Sequence, residues 1–258
     1  MNRVGFIGGG RIVNIFLQAL HNKRFEAAQI VVSDPDSQAV SRLAFGKPNL
    51  NISPGSAVDA ANQELVFLAV HPPVFKHVLP EIASSIQNAK AVVSLAPVYK
   101  SSRLLDLLNG FNRIVRMIPN AATLMNSGYN PVWFAESFTA AEKKNLLDFF
   151  ALFGQCPQVD EEKLEAYAVL TAMGPTYLSP HLDELKKLGI EFGLTDQEAI
   201  AALKAMTRNT LELLFDSGMP YEEMADLIPV KPLEESETQI RAIYHSRLTS
   251  LYKKLAGQ

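Results

Sequence analysis

Residues 3–13 read Arg-Val-Gly-Phe-Ile-Gly-Gly-Gly-Arg-Ile-Val, and this stretch decides the architecture. Val4, Phe6 and Ile7 make a short apolar run that reads as a strand. Three glycines follow, and then a helical pattern over 11–22 with Ile12, Ile15, Phe16 and Leu20 on one side. A strand turning through Gly8-x-Gly10-x-x-Val13 into a helix is the setting a dinucleotide fingerprint needs. Gly8 allows the tight turn and Gly10 lets the backbone approach a pyrophosphate. Free amides and the dipole at the helix start stabilise negative charge. Gly8, Gly10, Arg11 and Ile12 are therefore candidate cofactor-binding residues. Val13 stands where the fingerprint has glycine or alanine, and it is expected to push the helix slightly off the strand. The competing reading is a glycine-rich turn that binds nothing.

Outward from this loop, β-rich runs at 29–34, 64–70, 91–96 and 113–119 alternate with helical stretches at 37–45, 74–87 and 101–109. Continuous apolar runs suit strands buried on both faces, and the alternation predicts βαβ crossovers and a parallel sheet. One more strand is expected at 129–135. Thr139 and Glu142 form a capping box that opens a helix to about Phe153, and 155–160 reads as a last strand or a linker. From Glu161 the pattern is helical only: 161–173, 175–192, 196–217, 220–228 and 233–256, with a second capping box at Thr195 and Glu198. The fold expected is α/β: a Rossmann-type domain over 1–158 with a mostly parallel sheet, then an all-helical dimerisation and substrate domain over 159–258.

The chain has 258 residues, 48% hydrophobic and 20% charged, with a formal net charge of -3, so it can bury a substantial core and has no excess charge that points to nucleic acid. No apolar run is long enough to span a bilayer, and the first residues do not read as a signal peptide. The single cysteine, Cys156, excludes an internal disulfide and a cysteine-based metal site, and a reducing cytoplasm is the expected location. The histidines are scattered, so no metal-ligand spacing is found.

The second strand ends at Ser33-Asp34. An acid there can accept from ribose hydroxyls and repels a 2′-phosphate, which tilts the cofactor toward NAD over NADP. Asp34 could equally cap the next helix, and Ser33 could bond a phosphate.

The segments at 67–75, 113–128 and 168–178 resemble the pyrroline-5-carboxylate reductase family, collinearly from Val4 to about Asp226. The family's glycine loop matches Gly8 to Ile12. Its Ala-Val-Lys-Pro matches Ala69-Val70-His71-Pro72. Its Arg-x-Met-Pro-Asn-Thr-Pro matches Arg116 to Ala122, and its Leu-Ser-Gly-Ser-Gly-Pro-Ala-Tyr matches Leu170 to Tyr177. The resemblance implies NAD(P)H as cofactor, reduction of a C=N bond in a small cyclic imine, and a homodimer or higher oligomer built through the helical half. Ser33, Asp34, Ala69, Val70, His71, Pro72 and Ala96 join the glycine loop as candidate cofactor contacts. The departures fall on chemical positions. His71 replaces lysine, and Met173 and Met206 replace hydroxyl residues. The family's Ser-Pro-Gly-Gly-Thr-Thr loop, which cradles a carboxylate, aligns with Val230-Lys231-Pro232-Leu233-Glu234-Glu235. Proline has no amide to donate, and the two glutamates repel a carboxylate.

Candidates for catalysis are His71, Asn120, Thr171 and Thr176. Imidazole titrates near neutrality and can donate a proton, although His71 also reads as a plain loop histidine. Asn120 could orient substrate or nicotinamide, or cap the following turn. Thr171 retains a hydroxyl, but threonines also bond helix carbonyls. Asn120, Thr176 and Lys231 are the candidate substrate contacts; Lys231 either meets a substrate carboxylate or is simply solvated. Tyr177 matches a family position, yet an aromatic in a helix is usually core, and His181 reads as solvent-exposed as readily as functional. The alternative to an enzyme is a nucleotide-binding paralogue that has lost catalysis and acts as a redox-sensing or scaffold dimer.

Overall fold

Leu65 and Phe67 face one apolar core while Val66 and Leu68 face another. Successive strand side chains point to opposite faces, so a run that is apolar throughout must be covered on both sides. The computed structural model describes residues 1–257 and fulfils that requirement with helices on both faces of one sheet. In chain order the first unit contains β1 (Arg3–Ile7), α1 (Arg11–Asn22), β2 (Gln29–Ser33), α2 (Ser37–Ala44), β3 (Ile52–Pro54), α3 (Ala57–Ala61), β4 (Leu65–Leu68), α4 (Phe75–Ile82), β5 (Ala91–Ser94) and α5 (Ser101–Leu107). It continues with β6 (Ile114–Met117), β7 (Gly128–Tyr129), β8 (Val132–Phe134), α6 (Ala140–Phe150), β9 (Gly154–Gln155) and α7 (Leu164–Tyr167).

Seven strands form the main sheet in the order β3-β2-β1-β4-β5-β6-β8, all pairs parallel except β6 with β8. The chain leaves β1 for β2 on one side and returns through β4 on the other. That reversal opens a crevice at the carboxyl ends of β1 and β4, where ligands of open α/β sheets bind. One face carries an aromatic core: Phe6 stacks on Phe67 at 4.9 Å, and Phe16 stacks on Phe153 at 4.5 Å. The other face packs Ile7, Val66 and Leu68 against α3, α4 and α5. Here the close approach is made at Gly5, where a Cβ would stand 1.9 Å from the Ala60 carbonyl oxygen.

Val13, which stands where the fingerprint has glycine or alanine, points into the core. It is fully buried in the aromatic core, and the glycine the packing needs is Gly5 on the opposite face. The short β3 and α3 are absent from the sequence reading. A three-residue edge strand ending in proline carries little periodic signal, and the Ser56–Asp59 capping box was its only marker.

The second unit covers Gly174–Leu251 and contains α8 (Pro175–Glu191), α9 (Asp196–Asp216), α10 (Tyr221–Asp226) and most of α11 (Glu234–Ala256). The compact units divide after Met173, so the expected boundary at 158/159 lies inside the first unit. Residues 159–173 stay with the sheet because Leu164 and Ala168 bury against Ile118, and because Glu161 and Glu165 pair with a sheet arginine. The segment from Tyr252 onward also belongs to the first unit, where Leu255 packs on the same cluster. Both capping boxes form as read: Thr139 with Glu142, and Thr195 with Glu198. The helix expected over 161–173 instead breaks into a 3-10 turn, the short α7 and a π-helix at Ala168–Ala172.

Candidate functional site

The glycine loop follows β1 directly. Gly8 has φ +105°, a left-handed conformation that suits glycine, and a Cβ there would come within 2.7 Å of the Ala69 carbonyl oxygen. Its amide donates to the Ser33 carbonyl at 2.8 Å. One residue thus ties the ends of β1, β2 and β4 together. Gly10 caps α1 without a side-chain hydrogen bond, and a Cβ added there would meet nothing within 4 Å. The amides of Gly10, Arg11 and Ile12 donate to no acceptor among the described residues. No acid stands in the first turn of α1 to occupy them. Open backbone, unpaired donors and a helix start make an anion site, and these residues fit a dinucleotide pyrophosphate.

Asp34 lies one residue past β2, whose register sets Ser33 beside Ile7. Its Oδ2 accepts from the Gly9 amide at 2.7 Å and its Oδ1 from the Asp36 amide at 2.9 Å. The capping role weighed for Asp34 belongs to Asp36, which accepts from Gln38 N at the start of α2 and pairs with Arg42. Beyond β4, Ala69 and Val70 are half-buried, the Ala69 amide donates to the Ile7 carbonyl, and His71 is exposed at the start of the Pro72–Val74 turn. Ala96 is buried just past β5, where the Leu95 amide reaches the Leu68 carbonyl. All the candidate cofactor contacts therefore lie at one sheet edge, at or next to the crevice.

Asn120 is buried, and both ends of its side-chain amide are hydrogen-bonded within the protein. Its Oδ1 accepts from the Ala122 amide at 2.9 Å, so it does cap the following turn, and its Nδ2 donates to the Thr171 carbonyl at 2.6 Å. That carbonyl would have met residue 175 in a regular helix, and residue 175 is proline, which has no N–H. The asparagine supplies the missing donor. The π-helix ends alongside, with Met173 N on the Ala168 carbonyl. Thr171 Oγ1 donates to the Tyr167 carbonyl at 2.8 Å, which is the helix-bonding alternative for that hydroxyl.

Two residues that hold this arrangement were not singled out by the sequence reading. Arg116 sits in β6 with its side chain only 1% exposed, pairs with Glu161 at 2.9 Å and Glu165 at 2.7 Å, and donates to the Pro97 carbonyl. Glu161 also accepts from the amide and hydroxyl of Ser101. A charge in a buried strand, with two acids four residues apart downstream, was the available signal. Asn130 is wholly buried and accepts from the Asn120 amide and from the Thr123 hydroxyl. An asparagine before a proline gave no reason to look beyond a turn.

In the second unit Thr176 and Lys231 are exposed, and Lys231 begins a turn in which its carbonyl accepts from the Glu234 amide. Tyr244 Oη donates to the Tyr177 carbonyl at 3.3 Å and lies 3.4 Å from His181 Nε2. Cys156 is a bystander: burial pushes its thiol up to about 12. Among the described residues no group of His, Cys, Asp or Glu is arranged to hold a metal ion. No described helix is long and apolar enough to cross a membrane.

Residues 3–97, which carry the crevice, match the family described as NADP oxidoreductase, coenzyme F420-dependent. A pyrroline-5-carboxylate reductase of Methanosarcina acetivorans is 22% identical over 226 residues, covering 88% of this chain and 84% of that protein. The fold is shared with the pyrroline carboxylate reductase of Plasmodium falciparum with NADP bound, at TM-score 0.82 and 18% identity over 99% of this chain and 97% of that one. It is also shared with the 1-pyrroline-5-carboxylate reductase of Streptococcus pyogenes, at TM-score 0.81 and 19% identity over 99% and 98%. With the motifs collinear and the crevice in place, the chain is similar to pyrroline-5-carboxylate reductases along most of its length and shares their fold.

Proposed function

We propose that this protein is an NAD(P)H-dependent oxidoreductase that reduces the C=N bond of a small, cyclic imine. The observation that carries the reading is the crevice loop, where Gly10, Arg11 and Ile12 present unpaired amides at an open helix start. When bound, the reduced nicotinamide supplies the hydride to the imine carbon. The protein's own tasks are placement and a proton. The loop amides would hold the pyrophosphate, Ser33 and Asp34 would bind the adenosine ribose, and Ala69–Pro72 with Ala96 would border the nicotinamide half. His71 donates from its imidazole to the imine nitrogen, so C=N becomes CH–NH with one hydride and one proton added. Asn120 acts by holding the Thr171 carbonyl rather than by touching substrate. Thr176 and Lys231 are the substrate contacts, and Glu234 and Glu235 disfavour a carboxylate beside Lys231.

The second unit supports a homodimer. Leu178, Leu185, Phe192, Leu211, Phe215 and Ile243 are all exposed, and α8 and α11 contain no buried residue. Helices with this much open apolar surface are expected to pack on a second copy. A reducing cytoplasm suits the lone Cys156, which is unpaired.

Purified protein with NADH or NADPH and a panel of cyclic imines, with and without a carboxylate, tests the activity. Cofactor oxidation with at least one imine is expected; binding of cofactor with no oxidation by any of them contradicts it. That second outcome would favour a nucleotide-binding paralogue without turnover, a reading supported by the internal use of the Asn120 amide and the Thr171 hydroxyl.

A further inference from the structure

Asp34 is the only acid that bonds the glycine loop among the described residues, and it is fixed there by two backbone amides rather than left on a mobile side chain. Gly9 reinforces the fit, since a Cβ on it would stand 3.1 Å from both the Cβ and Oδ2 of Asp34. The carboxylate cannot swing away without releasing the Gly9 amide. Each of its oxygens accepts one amide and keeps a second lone pair, so the group can still take a hydroxyl proton. The nearest acid along the chain, Asp36, adds charge of the same sign, and the cation that follows, Arg42, is already committed to Asp36. A ribose 2′-hydroxyl would donate to this edge. A 2′-phosphate brings only acceptors and negative charge to it.

We propose that this protein selects NADH over NADPH, with Asp34 as the discriminating residue. The proposal rests on the dinucleotide reading of the crevice and sharpens it. It also sets this chain apart from its NADP-bound structural neighbour.

Calorimetric titration of the full-length protein with NADH and with NADPH tests it, and the pair ADP-ribose and 2′-phospho-ADP-ribose isolates the adenosine end. NADH is expected to bind at least roughly tenfold tighter than NADPH, and the shorter pair should show the same order. In Asp34→Asn, shown folded by circular dichroism, the ratio should fall toward one, chiefly through tighter NADPH. Equal or tighter NADPH binding by the wild type overturns the proposal while leaving imine reduction standing. A ratio unchanged in folded Asp34→Asn overturns the role of Asp34. Binding of neither dinucleotide removes the proposal together with the reading it rests on.

Discussion

The sheet unit and the helical unit come from the same chain yet treat apolar residues in opposite ways. In the first, Phe6, Phe16, Phe67, Phe150 and Phe153 are sealed from solvent. In the second, Phe192 is 78% and Phe215 72% exposed, and Ala199 and Met224 are the only buried apolar residues within its helices. A parallel sheet closes its own core, because each crossover helix covers the strands it joins. Four helices in a row need not do so, and these helices keep large apolar side chains exposed. The first unit is therefore a complete scaffold for a crevice, and the second leaves open the apolar surface on which the proposed homodimer rests.

Mutations should separate the two units by size of effect. Phe67→Ala, at the centre of the aromatic core, should cost about 3–5 kcal/mol in chemical denaturation. A cost under about 1 kcal/mol would mean that the sheet core is looser than its packing indicates. Arg116→Met should cost a similar ~3–5 kcal/mol, because it strands Glu161 and Glu165 without their partner. Adding Glu161→Gln and Glu165→Gln should recover much of that loss, and failure to recover would show that the arginine acts through shape rather than charge. Asn120→Ala should cost about 1–3 kcal/mol by leaving the Thr171 carbonyl unsatisfied, with turnover falling as the π-helix loosens. Against these, Leu211→Glu on α9 should shift the stability of the sheet unit by at most about 0.5 kcal/mol, yet lower self-association in analytical ultracentrifugation. An unchanged oligomer would break the contrast between the units. The smallest effect belongs to Cys156. With its thiol pushed up to about 12, the reactive thiolate is scarce at neutral pH and grows only as pH rises toward that value. Iodoacetamide should label the folded protein far more slowly than the unfolded chain.

Much of this contrast was legible in the sequence, and what was hidden follows a physical pattern. Strands such as 64–70 and 91–96 are apolar at consecutive positions, which only a sheet covered on both faces accommodates. The glycine loop carried its own context. By contrast, the edge strand at Ile52–Pro54 is too short for periodicity. The break in the helix expected over 161–173 depends on partners distant in sequence: Arg116 fixes its start, and the Asn120 amide meets a carbonyl near its end. The two acids after β2 looked alike on paper. Backbone geometry separates them, giving Asp34 to the glycine loop and Asp36 to the start of α2. Catalytic candidates were hardest to read: the alternatives of a turn cap for Asn120 and a helix carbonyl for Thr171 were visible, but not the distant Thr171 carbonyl that takes the Asn120 amide.

The most direct test of hydride transfer to an imine carbon is isotopic. The protein is incubated with nicotinamide cofactor deuterated at C4 and a cyclic imine, and the amine product is analysed by NMR. Deuterium at the former C=N carbon, on one face only, is the predicted result. Cofactor that binds but delivers no label to any imine offered would contradict the account.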